Sequence, residues 1–245
     1  MARLAVEGVR VRFGGKLALD DVTLAIEPGR VTGLIGPNGA GKTTLFNVVT
    51  GLLGATAGRV LLDGRDVTSL PPHRRAKHGV ARTFQRLELF TSLSVRDNVR
   101  VAGEIHGGTR LARSNAAAEA DRVLALVGLA AVADREVSEI PTGQARRVEL
   151  ARALMIRPTV LLLDEPAAGQ TEQETLAFGA LVRRLAGEDG LAVCLVEHDM
   201  SLVMNVCETI HVLDRGRLIA SGDADAVRTD PAVIEAYLGA PEPAG

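Results

Sequence analysis

Apolar residues early in the chain recur every second position. Residues 4–12 and Val22-Thr23-Leu24-Ala25-Ile26 alternate in this way, as strands with one buried face do, and Pro28-Gly29 turns the chain into Val31-Thr32-Gly33-Leu34-Ile35. Arg59-Val60-Leu61-Leu62-Asp63, closed by Gly64, reads as a third strand of the exposed type. Val160-Leu161-Leu162-Leu163 and residues 191–196 are apolar throughout and flanked by helical patterns, which is how parallel strands covered on both faces read. Between residues 90 and 154 the period changes. Val123, Leu124 and Val127, then Val148, Ala151, Leu154 and Met155, fall at helical spacing. The pattern predicts an α/β protein with an inserted helical subdomain. Within it, residues 103–114 have weak periodicity and read as a loop, and the tail 239–245 reads as mobile.

Composition narrows the class. A chain of 245 residues with 47% hydrophobic content suits one compact domain with an inserted subdomain. The net charge of -2 provides no global basic field, so nucleic acid is not an expected partner. No stretch has the roughly 20 uninterrupted apolar residues of a spanning helix, so any membrane role is expected to be peripheral. Cys194 and Cys207 occupy apolar positions without a CxxC neighbour and read as small buried hydrophobes.

Candidate chemistry begins where the third apolar run ends. Gly36-Pro37-Asn38-Gly39-Ala40-Gly41-Lys42-Thr43-Thr44 fits GxxxxGK[ST] at every fixed position, between a strand and the helical Leu45-Phe46-Asn47-Val48-Val49. Glycines let backbone N–H groups turn inward around phosphates, and the following helix adds the positive end of its dipole. Lys42, one of only three lysines in the chain, is expected to reach the β- and γ-phosphates of ATP. Thr43 is the expected Mg2+ ligand, with Thr44 as its alternate. Farther on, the apolar run 160–163 leads straight into Asp164-Glu165-Pro166. Carboxylates at the carboxyl end of a buried strand lie where open α/β sheets present ligand sites. Asp164 is expected to hold Mg2+ through water, and Glu165 to act as general base on the attacking water.

Three further elements choose among the many NTPases with such a loop. They are Gln85 in Ala81-Arg82-Thr83-Phe84-Gln85, the segment Ile140-Pro141-Thr142-Gly143-Gln144-Ala145-Arg146-Arg147 just before the acidic strand, and His198 in Val196-Glu197-His198-Asp199. Together and in this order they resemble the ATP-binding cassette (ABC) ATPases over nearly the whole chain. The resemblance implies a P-loop NTPase (RecA-like) core with an N-terminal antiparallel β subdomain and an inserted helical subdomain. The core would comprise residues 1–88 and 156–245, and the helical signature subdomain residues 89–155. It further implies that Phe13 stacks on adenine, that Gln85 touches Mg2+ and the attacking water, and that His198 contacts the γ-phosphate. Closer likeness lies in Gly79-Val80-Ala81-Arg82-Thr83-Phe84-Gln85, Glu197-His198-Asp199-Met200-Ser201-Leu202-Val203-Met204 and Val233-Ile234-Glu235-Ala236-Tyr237-Leu238-Gly239. These look like the LivG-type ATP-binding subunits of branched-chain amino acid importers. Subunits serving urea, short amides or lipopolysaccharide export are similar, and a soluble iron–sulfur assembly ATPase is the alternative outside transport.

The chain departs from that family twice. Where members usually carry Leu-Ser-Gly-Gly-Gln it reads Ile140-Pro141-Thr142-Gly143-Gln144. Residues from Gly143 onward read as helix, so Thr142 is expected to supply a hydroxyl as an N-cap-type residue at an anion-binding helix end. In the family this end meets the γ-phosphate held by an opposite subunit, which makes Thr142, Gly143 and Gln144 part of a shared ATP site. After Pro166 the chain reads Ala167-Ala168-Gly169-Gln170-Thr171-Glu172, without the aspartate many cassettes place there. The resemblance implies a second, homologous ABC ATPase subunit as a heterodimer partner, transmembrane permease subunits docked near residues 85–90, and indirectly a solute-binding protein. It places the chain peripherally on the cytoplasmic face of the membrane.

Overall fold

The computed structural model describes residues 2–107 and 110–238. A four-stranded antiparallel sheet, in the order β2-β1-β4-β5, comprises β1 (Leu4–Phe13), β2 (Lys16–Ile26), β4 (Ala57–Leu62) and β5 (Arg65–Asp66). A six-stranded sheet, in the order β10-β9-β3-β8-β7-β6, comprises β3 (Val31–Ile35), β6 (Val80–Arg82), β7 (Val160–Asp164), β8 (Ala192–Val196), β9 (Thr209–Asp214) and β10 (Arg217–Gly222). All pairings in it are parallel except that of the edge strand β10. This is the mixed α/β architecture of a P-loop NTPase.

Both faces of the larger sheet are covered, so its central strands need no polar side. Leu161 and Leu163 join one apolar core, while Val160 and Leu162 point into the other. The second core also takes the antiparallel sheet and α1 (Lys42–Thr50) through Val6, Leu24 and Phe46. The first takes the helices α3 (Val95–Gly107), α4 (Arg110–Leu126), α5 (Thr142–Leu154) and α6 (Glu172–Asp189). Each fully buried leucine contributes about 1.5–3 kcal/mol relative to exposure. The short helices α2 (Pro72–Lys77), α7 (Met200–Val206), α8 (Ala224–Thr229) and α9 (Pro231–Leu238) complete the fold. Among the described residues no helix is long and apolar enough to cross a membrane. Cys194 and Cys207 are free and buried; burial pushes the Cys207 thiol up to about 12, well away from reactive thiolate.

Two sequence expectations need correction. Residues 103–107 and 110–114 belong to α3 and α4, not to a loop. An ideal Cβ on Gly103 would lie 2.5 Å from Met155 Cε, so the glycine marks a close approach of helices, and its lack of side chain reads in sequence as lost periodicity. Helix α5 begins at Thr142, with Pro141 rather than Thr142 as its extended N-cap residue, and no side chain caps it. The expected alternation missed β6, β9 and β10 and the two-residue β5. Gly108, Thr109 and the tail 239–245 lie outside the described residues.

Candidate functional site

Parallel register delivers the site. β3, β6, β7 and β8 end on the same sheet edge, with Asp164 opposite Val196 and Arg82 opposite Leu162. From the end of β3, residues 36–41 form a loop that leads into α1, with Gly41 as N-cap in left-handed conformation and no side-chain cap. The turn is fixed from outside: Gly216 N–H donates to Ala40 O at 2.8 Å, and Asp20 N–H to Gly216 O at 2.8 Å. Lys42 is only 7% exposed and folds back over the loop, donating from Nζ to Gly36 O at 2.6 Å and to Pro37 O at 3.1 Å. Burial lowers its pKa, opposed by the charges of Glu165 and Asp164, which face it from β7. A cation clasped by carbonyls beside uncapped helix N–H groups can receive polyphosphate oxygens.

Facing the loop, two side chains far apart in sequence converge on one carboxylate. Gln85 Nε2 donates to Glu165 Oε2 at 2.9 Å, and His198 Nε2 lies 3.0 Å from Glu165 Oε1. Since a carboxylate only accepts, the contact puts a proton on His198 Nε2. The Glu165 side chain is 19% exposed and that of His198 48%, so the cluster opens to solvent. Glu165 sits at φ 48°, a conformation that costs a non-glycine residue about 1–3 kcal/mol. Its N–H bond to Val196 O, 2.9 Å, holds it there. A carboxylate so held, flanked by an amide and an imidazole, can take a proton from a water aimed at a terminal phosphate.

Two buried charges that sequence reasoning missed fix this arrangement. Arg82 Nη2 donates to Asp164 Oδ2 at 2.7 Å, and Nη1 to Asn47 Oδ1 at 2.6 Å; the guanidinium also lies over the rings of Phe46 and Phe84 at 5.3 and 5.1 Å. It therefore bolts α1 to the end of β7. The signal was present: a lone arginine follows two apolar residues three positions before Gln85. Glu197 accepts N–H bonds from Ala167 at 2.7 Å and from His198 at 3.1 Å, joining the chain after Glu165 to the one carrying His198. Burial raises its pKa against these bonds.

His198 is positioned by the helix after it. Asp199 caps α7, accepting from the N–H groups of Ser201 at 2.9 Å and Leu202 at 3.2 Å, and the Ser201 hydroxyl and these N–H groups depress its pKa. Asp199→Ala is expected to cost about 1 kcal/mol, or about 2–4 °C in melting temperature. The advantage of the aspartate should vanish as pH falls through its depressed pKa, which melts at several pH values will check.

The remaining expected site residues lie elsewhere. Phe13 closes the β1–β2 hairpin opposite Lys16 and is 53% exposed. Thr142 and Gly143 neighbour the chain leading into α6 rather than the phosphate loop: Thr142 lies beside Gly169, and Gly143 against the Glu174 carboxylate. The first bond of α5 runs from Ala145 N–H to Pro141 O, so the N–H groups of Thr142, Gly143 and Gln144 precede the helical ladder. Thr171 replaces the expected aspartate as N-cap of α6 and forms a full capping box with Glu174. For a divalent cation, Thr43 and Asp164 offer hard oxygen donors of the kind Mg2+ takes beside phosphate and water.

A family model described as ABC transporter matches residues 19–168, and one described as branched-chain amino acid ATP-binding cassette transporter matches residues 217–243. The high-affinity branched-chain amino acid transport ATP-binding protein BraF of Pseudomonas aeruginosa is 42% identical, over 96% of this chain and 97% of that protein. LivG of Escherichia coli, described in the same words, is 40% identical over the same shares. A solved nucleotide-free ATP-binding cassette from an ABC transporter has a TM-score of 0.88 at 32% identity, covering 98% of this chain and 100% of that one. A cassette solved in an ADP conformation matches equally well, with a TM-score of 0.88. The chain belongs to the ABC transporter family, as one of its ATP-hydrolysing subunits.

Proposed function

We propose that this subunit drives import of branched-chain amino acids through transmembrane permease subunits, paired with a homologous cassette on the cytoplasmic face of the membrane. The observation that carries the hydrolytic chemistry is Glu165 held between Gln85 and His198 beside the phosphate loop. The solute rests on likeness to relatives that span nearly the whole chain, together with the C-terminal family match.

Residues 36–44 cradle the phosphates of ATP, with Lys42 moving from its loop carbonyls to the β- and γ-phosphate oxygens. Thr43, with Thr44 as alternate, Gln85 and Asp164 would hold Mg2+, which would neutralise developing phosphate charge. Glu165 accepts the proton of the attacking water, Gln85 orients that water, and His198 donates to the γ-phosphate. Phe13 stacks on adenine from the exposed hairpin. Thr142, Gly143 and Gln144, on the helical signature unit of residues 89–155, complete the partner cassette's site. A groove of about 330 Å³ lined by Leu52, Arg75, Phe84, Glu88, Glu149 and Arg152 supports permease docking beside Gln85. Phe84 and Leu52 are 42% and 55% exposed there and offer apolar surface to a docking helix.

The test is the complex purified from membranes and reconstituted in vesicles. A leucine-loaded solute-binding protein should raise its ATPase rate and drive uptake. Stimulation by urea, amides or lipopolysaccharide instead would overturn the solute. Because Thr142 caps nothing within its own chain, Thr142→Ala should leave the melting temperature unchanged. In the assembled transporter it should lower ATPase activity by about 10- to 100-fold, on the order of one lost hydrogen bond to a charged group. An unchanged rate would remove the hydroxyl from the shared site.

A further inference from the structure

Helix α5 carries a buried ion pair one turn beyond its N-terminus. Arg146 Nη1 donates to Glu149 Oε2 at 3.1 Å, and the two side chains are 9% and 6% exposed. Burial of such a pair is weak evidence for a stabilising role, because desolvation offsets the attraction. The remaining bonds are more informative. Arg146 Nη2 donates to Gln85 O at 2.7 Å and Nη1 to Phe84 O at 3.2 Å, while Glu149 Oε1 accepts from Glu88 N–H at 3.0 Å. Arg152 donates to Glu88 O and covers the Phe90 ring at 5.3 Å.

All these contacts end on the segment 84–90, which lies between β6 and α3 and has no regular structure of its own. Gln85 is near the start of that segment, and its amide reaches Glu165. Its backbone carbonyl is held by Arg146 on one side, and its side chain meets the carboxylate on the other. Burial raises the pKa of Glu149 against the bonds from Glu88 and Arg146.

We propose that the Arg146–Glu149 pair is a positioning device for hydrolysis, which fixes the Gln85 backbone so that its side chain stays on Glu165. This rests on the reading that Gln85 acts in hydrolysis. Arg146 contacts the Gln85 carbonyl rather than Glu165, so it acts through Gln85. A planar fork that serves two carbonyls and a carboxylate at once cannot be replaced by the point charge of lysine.

A double-mutant cycle on this subunit within the assembled transporter tests the proposal, with kcat and equilibrium ATP binding measured for each variant. Arg146→Lys keeps the charge beside Glu149 but loses the fork. It should lower kcat on the order of tenfold while ATP affinity stays within about twofold. Gln85→Ala should also lower kcat, and adding Arg146→Lys to it should cost nothing more. The paired replacement Arg146→Met with Glu149→Leu removes both charges from the interior and should keep or raise the melting temperature while showing the same kcat loss. Unchanged kcat in both Arg146 variants would overturn the proposal. So would losses that multiply in the double mutant with Gln85→Ala, which would leave the role of Gln85 standing. A Gln85→Ala variant with normal kcat would overturn both.

Discussion

Glu165→Gln is expected to lower kcat for ATP hydrolysis by about 10²–10⁴-fold while ATP still binds. The substitution preserves shape, and the single amide oxygen can keep one of the two contacts donated by Gln85 and His198, but the group that accepts the water's proton is gone. In free-energy terms the loss is about 3–5 kcal/mol of transition-state stabilisation. Binding should persist because the phosphate contacts belong to the loop. Lys42 loses one of the two charges that oppose the effect of its burial but keeps that of Asp164. Steady-state phosphate release and equilibrium nucleotide binding separate the two effects. A variant turning over at the normal rate would remove Glu165 from the chemistry.

Gly36→Ala should abolish nucleotide binding and destabilise the whole domain. An ideal Cβ there would lie 2.0 Å from the backbone oxygen of Leu213, and the residue sits at φ 149°. Leu213 belongs to β9, paired with Leu218 of β10 in a strand bonded on its other side to β3, so its carbonyl cannot retreat. Strain at the dihedral and overpacking together cost about 2–6 kcal/mol, each kilocalorie lowering the melting temperature by about 2–4 °C. Moving the Gly36 carbonyl also removes the strongest anchor of Lys42. Gly39→Ala is the control: its φ is 81° but nothing lies within 4 Å, so only the dihedral term applies. Thermal melts with and without ATP compare the two. A Gly36→Ala protein that melts like wild type and responds to ATP would contradict the geometry.

What the sequence reveals about this fold depends on how local the governing interaction is. The phosphate loop is legible because glycines, lysine and threonine act within a few residues of one another. The runs 160–163 and 191–196 are legible as buried strands because helices and a second sheet cover both faces. β6 and β10 are harder to see: one has three residues, and the other is a half-exposed edge strand without alternation. Convergence of Gln85 and His198 on Glu165 spans 80 and 33 residues and depends on the strand order β8-β7-β6, which no local pattern encodes. Family likeness supplied that grouping where periodicity did not. Arg82, Arg146, Glu149 and Glu197 escaped notice because charged residues in amphipathic stretches read as solvated, whereas here their side chains are buried and bonded to backbone, to one another or, for Arg82, to Asn47 and Asp164. The N-cap of α5 was placed one residue late, at Thr142, because Pro141 takes an extended conformation that serves as the N-cap itself.

The most direct test of the account is the chemical identity of nucleotide retained by the Glu165→Gln protein after incubation with ATP and Mg2+ and rapid removal of free ligand. Intact ATP, held in a complex of two cassettes, is the expected result. Retained ADP, formed at the normal rate, would show that the bond is broken without Glu165 and would contradict the assignment of the Gln85, Glu165 and His198 cluster as the hydrolytic centre.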